Sequence, residues 1–202
     1  MGDITYSKKE ISVFNGIIAL MERGVNPYSI KVSDIAREAD IGKGTIYDYF
    51  SSKEEAISRA ILYYIKDEIN IAFSAVKLKD HFKEKFFEML YIIYRRMDSN
   101  ISIFRMLLSI GETQDFYEYL SEYKENIQDN LHRSHEINDH LLEAGVKEGV
   151  ITKGLDPYYQ RMVVSSAILG FSQYLGQKCF SPSVSLKEAM EAAYVLLVKA
   201  LN

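Results

Sequence analysis

Three prolines, at positions 27, 157 and 182, are the only residues in this 202-residue chain whose backbone is barred from a helix interior. Between them apolar side chains recur at helical spacing, and no long stretch alternates apolar and polar residues as a half-buried strand does. Ile11, Phe14, Ile17, Ile18 and Met21 share one face of a first helix running from about Ser7 to Arg23, and Gly24 follows as a stop. A turn around Pro27 leads to two short helices, near 32–39 and 43–50. Longer helices are predicted near 52–76, 79–97, 100–111, 114–148, 157–178 and 185–201. Ser52 with Glu55, and Ser185 with Glu188, have the spacing of capping boxes, and Asp156 precedes Pro157 as an N-cap precedes a first helical residue. The predicted fold class is all-α.

With 48% hydrophobic residues the chain has ample material for one or two packed domains. Cys179 is the single cysteine, so no internal disulfide forms, and its place near a helix end fits a structural role. No apolar run approaches the ~20 residues of a membrane span, and no basic stretch followed by an apolar one opens the chain. A soluble cytoplasmic protein without membrane contact is expected. Neither a Ser-His-Asp order, a phosphate loop nor a Cys/His cluster is present, so neither an enzyme nor a cofactor is expected.

The informative stretch is Lys31 to Lys53. Ile35, Ala36 and Ala39 give the first short helix an apolar face whose alanines allow a second helix to cross closely. Asp40-Ile41-Gly42 makes a tight turn, and the second short helix turns Ile46 and Phe50 inward. Lys43, Gly44, Thr45, Tyr47, Asp48 and Tyr49 then face out. Two short helices joined by a glycine-containing turn form a helix-turn-helix, whose second helix fits the DNA major groove. The outward types suit that task. Lys43 stands where free N–H groups also favour a phosphate, and Gly44 lets the backbone approach closely. Thr45 can bond a phosphate or touch a thymine methyl, and the tyrosine hydroxyls can donate to phosphates. Lys53 stands at the next helix start, where the backbone also favours an anion. Asp48 can accept from a cytosine amine.

Bulk charge gives this reading no help. The net charge is −4, and residues 1–53 are neutral: Lys8, Lys9, Arg23, Lys31, Arg37, Lys43 and Lys53 balance Asp3, Glu10, Glu22, Asp34, Glu38, Asp40 and Asp48. Placement must carry the argument.

Ile35-Ala36, Ala39 to Tyr47, Tyr49-Phe50 and Lys53-Glu54-Glu55 closely resemble the signature of the TetR family of bacterial transcriptional regulators. The resemblance implies a three-helix DNA-binding domain over 1–51 and a helical effector-binding and dimerisation domain over 52–202. It departs in three places. Asp40 stands where the family has glycine, Gly42 where it has a capping serine, and Lys31 where a Ser or Thr caps the first short helix. Ser33 is then an alternative cap, and Lys31 is free for a phosphate. The expected DNA contacts are Lys31, Ser33, Lys43, Gly44, Thr45, Tyr47, Asp48, Tyr49 and Lys53.

The implied function is a ligand-responsive repressor that binds a palindromic double-stranded DNA operator as a homodimer and is released by a small-molecule effector. A two-fold dimer sets its two recognition helices about one DNA turn apart, ~34 Å. Tyr63, Phe86, Tyr91, Tyr94, Phe104, Tyr117, Tyr123 and Phe171 are candidates for an apolar or aromatic effector, because tyrosine joins an apolar ring to a hydroxyl. Met162, Ser165, Ser166, Leu169, Gly170, Gln173, Ala193 and Leu197 are candidates for the dimer contact, where small residues let helices approach. Two rival readings stand beside this one. One is a helical protein-interaction module without DNA binding. The other is a metal-dependent sensor using His132, Glu136 and His140, although ligands on straight i+4 spacing drift around a helix and no metal site is expected.

Overall fold

A computed structural model describes residues 5–98, 123–177 and 184–202. Among these, eight α-helices and one short 3-10 helix make up the regular structure: α1 Lys8–Glu22, the 3-10 turn Pro27–Ser29, α2 Val32–Glu38, α3 Lys43–Tyr47, α4 Lys53–Lys77, α5 Phe82–Asp98, α6 Lys124–Lys147, α7 Pro157–Gln177 and α8 Leu186–Ala200. The helix expected near 100–111, the first residues of the one expected from 114, and Cys179 lie outside the described residues.

The chain divides into two compact units. One holds residues up to 68 together with 123–130; the other holds 69–98 and 131 onward. The first holds α1, α2, α3 and the first part of α4. α1 starts at a full capping box: the Glu10 N–H donates to Ser7 Oγ (3.2 Å), and the Ser7 N–H donates to Glu10 Oε2 (2.8 Å). Its buried face presents Val13, Phe14, Ile17, Ile18 and Met21 to Ile35, Ala36, Ile46, Phe50 and Ile61. Each fully buried Phe or Ile contributes about 1.5–3 kcal/mol, enough to hold helices too short to stand alone. Asn15-Gly16 sits mid-helix because α2 crosses there: a Cβ on Gly16 would stand 3.1 Å from the Ala39 nitrogen and from Glu38 Cβ. The α2–α3 turn places Asp40 at φ 53°, in the left-handed region that favours glycine. Ile41 is half-buried against the core, and its N–H donates to Ala36 O (3.0 Å).

The second unit is built around Phe82, Phe86 and Leu90 of α5, Ile137 and Leu141 of α6, Val164, Ala167 and Phe171 of α7, and Ala189, Ala193 and Leu197 of α8, all buried. Its helix ends are tied individually. Glu148 Oε1 accepts from the Phe82 N–H (2.8 Å), Asp156 Oδ1 accepts from the Tyr159 N–H (2.9 Å), and the Tyr159 hydroxyl donates to Ala200 O (2.7 Å). Ser185 and Glu188 form the expected capping box.

Candidate nucleic-acid interface

Helix α3 is five residues long and keeps one residue, Ile46, wholly inside. Its turn continues to Phe50, whose N–H donates to Ile46 O (3.0 Å) and whose ring is buried. Around this two-residue anchor the helix presents Lys43, Gly44, Asp48 and Tyr49 to solvent, with Thr45 half-buried and Tyr47 56% exposed. A tyrosine more than half exposed on a helix with little else to bury contributes scarcely to packing, so its apolar surface is available to a partner. Gly42 caps α3 with no side-chain bond, and a Cβ on Gly44 would meet nothing.

Ion pairs engage three acids of this segment, Glu10, Asp34 and Glu38. Arg23 is paired with Glu38 (2.7 Å) and Arg37 with Asp34 (3.2 Å). Glu10 faces Arg59 (2.5 Å). Much of the acidity is thereby neutralised inside the domain. Among the described residues, no carboxylate lies within 4.0 Å of Lys31 or Lys43. Lys31 is the N-cap of α2 and makes no side-chain cap bond; it is exposed, and Ser33 follows half-buried in the first turn. Lys53 opens α4 with its Nζ 3.4 Å from Glu54 Oε1. The Ser52 cap forms, with its Oγ accepting from the Glu55 N–H at 3.0 Å. The Glu55 carboxylate, however, reaches one residue further back, accepting from the Ser51 N–H (2.7 Å) and Ser51 Oγ (2.6 Å).

Behind this surface lies a group that the sequence marks only by the i,i+4 spacing of Glu55 and Arg59. Arg59, on the second turn of α4, donates to Glu10 Oε1 and to Glu55 Oε1 (3.2 Å). Its guanidinium carbon lies 5.0 Å from the centre of the Phe50 ring, 5.5 Å from Tyr6 and 5.9 Å from Phe14. Burial works to raise both carboxyl pKa values, but the Ser7 and Arg59 bonds at Glu10, and the Ser51 and Arg59 bonds at Glu55, outweigh it and hold both below the ordinary 4.5.

The described effector candidates divide between the two units. Tyr63 packs edge-on to Tyr6 (5.7 Å) and against Phe14 (5.3 Å), and Tyr123 lies on the same core, so both belong to the first unit's packing. In the second unit Phe86 and Phe171 are buried, while Tyr91 and Tyr94 pair at 6.2 Å with Tyr91 44% exposed. Phe104 and Tyr117 lie outside the described residues.

The dimer candidates separate by face. On α7, Met162, Ser165, Ser166, Leu169, Gly170 and Gln173 are all exposed. On α8, Ala193 and Leu197 instead point inward with Ala189, because that i,i+4 row packs on α5 and α7 of the same chain. The exposed apolar residues of α8 are Val195 and Leu196. On α6, His132 Nε2 lies 3.7 Å from Glu136, whereas His140 Nε2 faces Lys85 Nζ at 3.2 Å, so the three do not converge. Among the described residues, no group of three His, Cys, Asp or Glu side chains is placed to hold a metal ion, and no helix is long and apolar enough to cross a membrane.

Residues 20–64 match the model for the bacterial regulatory proteins of the tetR family. Solved structures of similar fold include the fatty acid degradation regulator FadR of Bacillus halodurans (18% identity, TM-score 0.68, 96% of this chain and 97% of that one). A second is the regulator FadR of Bacillus subtilis in complex with stearoyl-CoA (17% identity, TM-score 0.60, 95% and 97% covered). A third is a transcriptional regulator of Pseudomonas aeruginosa PAO1 (10% identity, TM-score 0.67, 99% and 97% covered). No curated protein sequence matches the chain. The class is that of an all-helical protein with an N-terminal helix-turn-helix. Residues 20–64 are similar to the N-terminal domain of the TetR family, and the chain as a whole has the fold of the solved TetR-type proteins.

Proposed function

We propose that this protein is a ligand-responsive transcriptional regulator that binds a palindromic operator as a homodimer, represses from it, and is released by a small, mainly apolar effector. Residues 1–51 read DNA, and residues 52–202 bind effector and dimerise. The observation that carries the DNA reading is the outward face of α3: Tyr47 more than half exposed beside an unpaired Lys43, on a helix anchored by Ile46 and Phe50 alone. Lys31, Ser33, Thr45, Tyr49 and Lys53 complete the surface, with Asp48 as an acceptor for a cytosine amine. The effector is argued from the aromatic side chains, Tyr91 and Tyr94 foremost. Stearoyl-CoA, bound by the Bacillus subtilis neighbour, has an apolar chain of the kind expected here. The effector acts by binding more tightly to the state that does not hold DNA, and a difference of a few kcal/mol is enough.

The test is a gel-shift series on duplexes selected by the protein from a randomised pool. Tyr47→Ala lowers affinity while the protein stays folded and dimeric. Lys43→Ala reduces the slope of log affinity against log salt by about one unit, the signature of one lost phosphate contact. Unchanged binding in both variants removes the assignment of α3 to the groove.

A further inference from the structure

α3 has little of its own to fix its direction. It is five residues long, lacks a side-chain N-cap and buries one residue, so its aim depends on what grips its two ends. The leading end is held by the Asp40–Gly42 turn on α2. The trailing end, Phe50 and Ser51, is held by one assembly. Phe50 lies beneath the Arg59 guanidinium, and the Ser51 N–H and hydroxyl both donate to Glu55, whose other oxygen binds Arg59. The other terminal nitrogen, Arg59 Nη2, donates to Glu10, whose second oxygen accepts the Ser7 N–H. Each carboxylate therefore uses one oxygen on a helix start and the other on Arg59. The guanidinium joins the starts of α1 and α4 to the end of the recognition helix.

We infer that Arg59 is a positioning residue for sequence readout: it touches no DNA, but its planar fork sets the angle at which α3 enters the groove. This rests on the DNA-binding reading above. The physical reason is a difference in tolerance. Base edges are read by bonds of fixed geometry, whereas phosphate contacts are largely electrostatic and survive small misplacements. Loosening Arg59 therefore lowers specific binding and spares non-specific binding. A role in stability alone lowers the melting temperature and leaves the ratio of the two affinities unchanged in folded protein.

Arg59→Lys separates the two. Lysine keeps the charge but cannot bridge two carboxylates with a rigid fork while lying flat on Phe50. The assay uses the duplex that the wild type selects from a randomised pool, and a random-sequence duplex beside it, at a temperature where circular dichroism shows Arg59→Lys folded. The specific-to-non-specific ratio falls about tenfold, the value of one good base contact, with the salt slope unchanged. A ratio within about twofold of wild type, against the ~1.4 kcal/mol that tenfold represents, overturns the inference. Where Arg59→Lys does not fold, Glu55→Gln takes its place, retaining an acceptor for Ser51 while removing the charge that orients Arg59. An unchanged ratio in Glu55→Gln also overturns the inference. A wild type that selects no sequence from the pool defeats the DNA-binding reading itself, a result distinct from a variant that selects as well as wild type.

Discussion

Two single residues in the first unit carry stability predictions of opposite sign. Gly16 lies mid-helix, where alanine would gain about 0.5–1 kcal/mol of helix propensity. Its Cβ would stand 3.1 Å from the Ala39 nitrogen, on a backbone held by the Ala39 N–H to Ile35 O bond (2.9 Å). Overpacking against backbone that cannot give costs about 1–3 kcal/mol, which exceeds the gain. Gly16→Ala is therefore expected to destabilise the protein, by about 1–2 kcal/mol. At Asp40 the conflict is in the backbone, at φ 53°, and Asp40→Gly relieves it for a gain of about 0.5–1 kcal/mol. Urea denaturation of both variants checks the signs, and a stabilising Gly16→Ala shows that α2 shifts freely across α1. The family signature makes the second case legible in the sequence, because Asp40 stands where glycine is usual. The first is not legible: a glycine flanked by helix-forming residues shows no sign of what crosses it.

At the scale of elements, the sequence located the described helices to within a few residues, apart from the start of α6, whose expected first residues lie outside the described ones, because caps and apolar periodicity are local. What it missed were side chains meeting across helices. His140 shares a helix face with His132 and Glu136, which suggested chelation, yet its partner comes from α5. Lys85 is buried and donates to the carbonyls of Val76 (3.2 Å) and Lys79 at the end of α4, with His140 Nε2 at 3.2 Å as its third neighbour. A lysine donating to Nε2 requires a neutral imidazole with its proton on Nδ1. Around that ring stand Phe73 and Lys77 of α4, Lys85 of α5 and Glu143 of α6. Burial first, then Lys85 and Lys77, hold the His140 pKa below the ordinary 6.5, with Glu143 opposing. As pH falls the unfolded chain takes up this proton before the folded one, so the stability is complete above pH 6.5 and is lost as pH drops below it. Glu10 and Glu55, both lowered from 4.5, lose their contribution only in a more acid range. Melting curves at pH 7.5 and 5.5 therefore isolate the histidine. His140→Gln keeps an acceptor for Lys85 and should melt with a smaller acid shift than wild type. Equal shifts in both proteins dismiss the Lys85–His140 contact as the source.

At the scale of the whole molecule, the residues expected at the dimer contact fall on two different faces of α7 and α8. The α8 row through Ala193 and Leu197 serves the chain's own core. What remains outside is Met162 (47% exposed), Leu169 (54%), Val195 (47%) and Leu196 (52%), with the small residues Ser165, Ser166 and Gly170 on the same exposed side of α7. A Cβ added at Gly170 would meet nothing within 4 Å, so none of the described residues requires a glycine there. A second copy approaching α7 closely does require one, and a two-fold contact places the same glycine on both sides, where any added bulk or charge counts twice. Gly170→Arg should leave the helical content of the isolated chain intact and abolish the dimer in sedimentation equilibrium. Binding to a full palindrome should then fall about a hundredfold or more, because each half-site is held without the effective concentration that its linked partner supplied. Binding to a single half-site should change little. A Gly170→Arg protein that remains dimeric moves the interface off this face of α7.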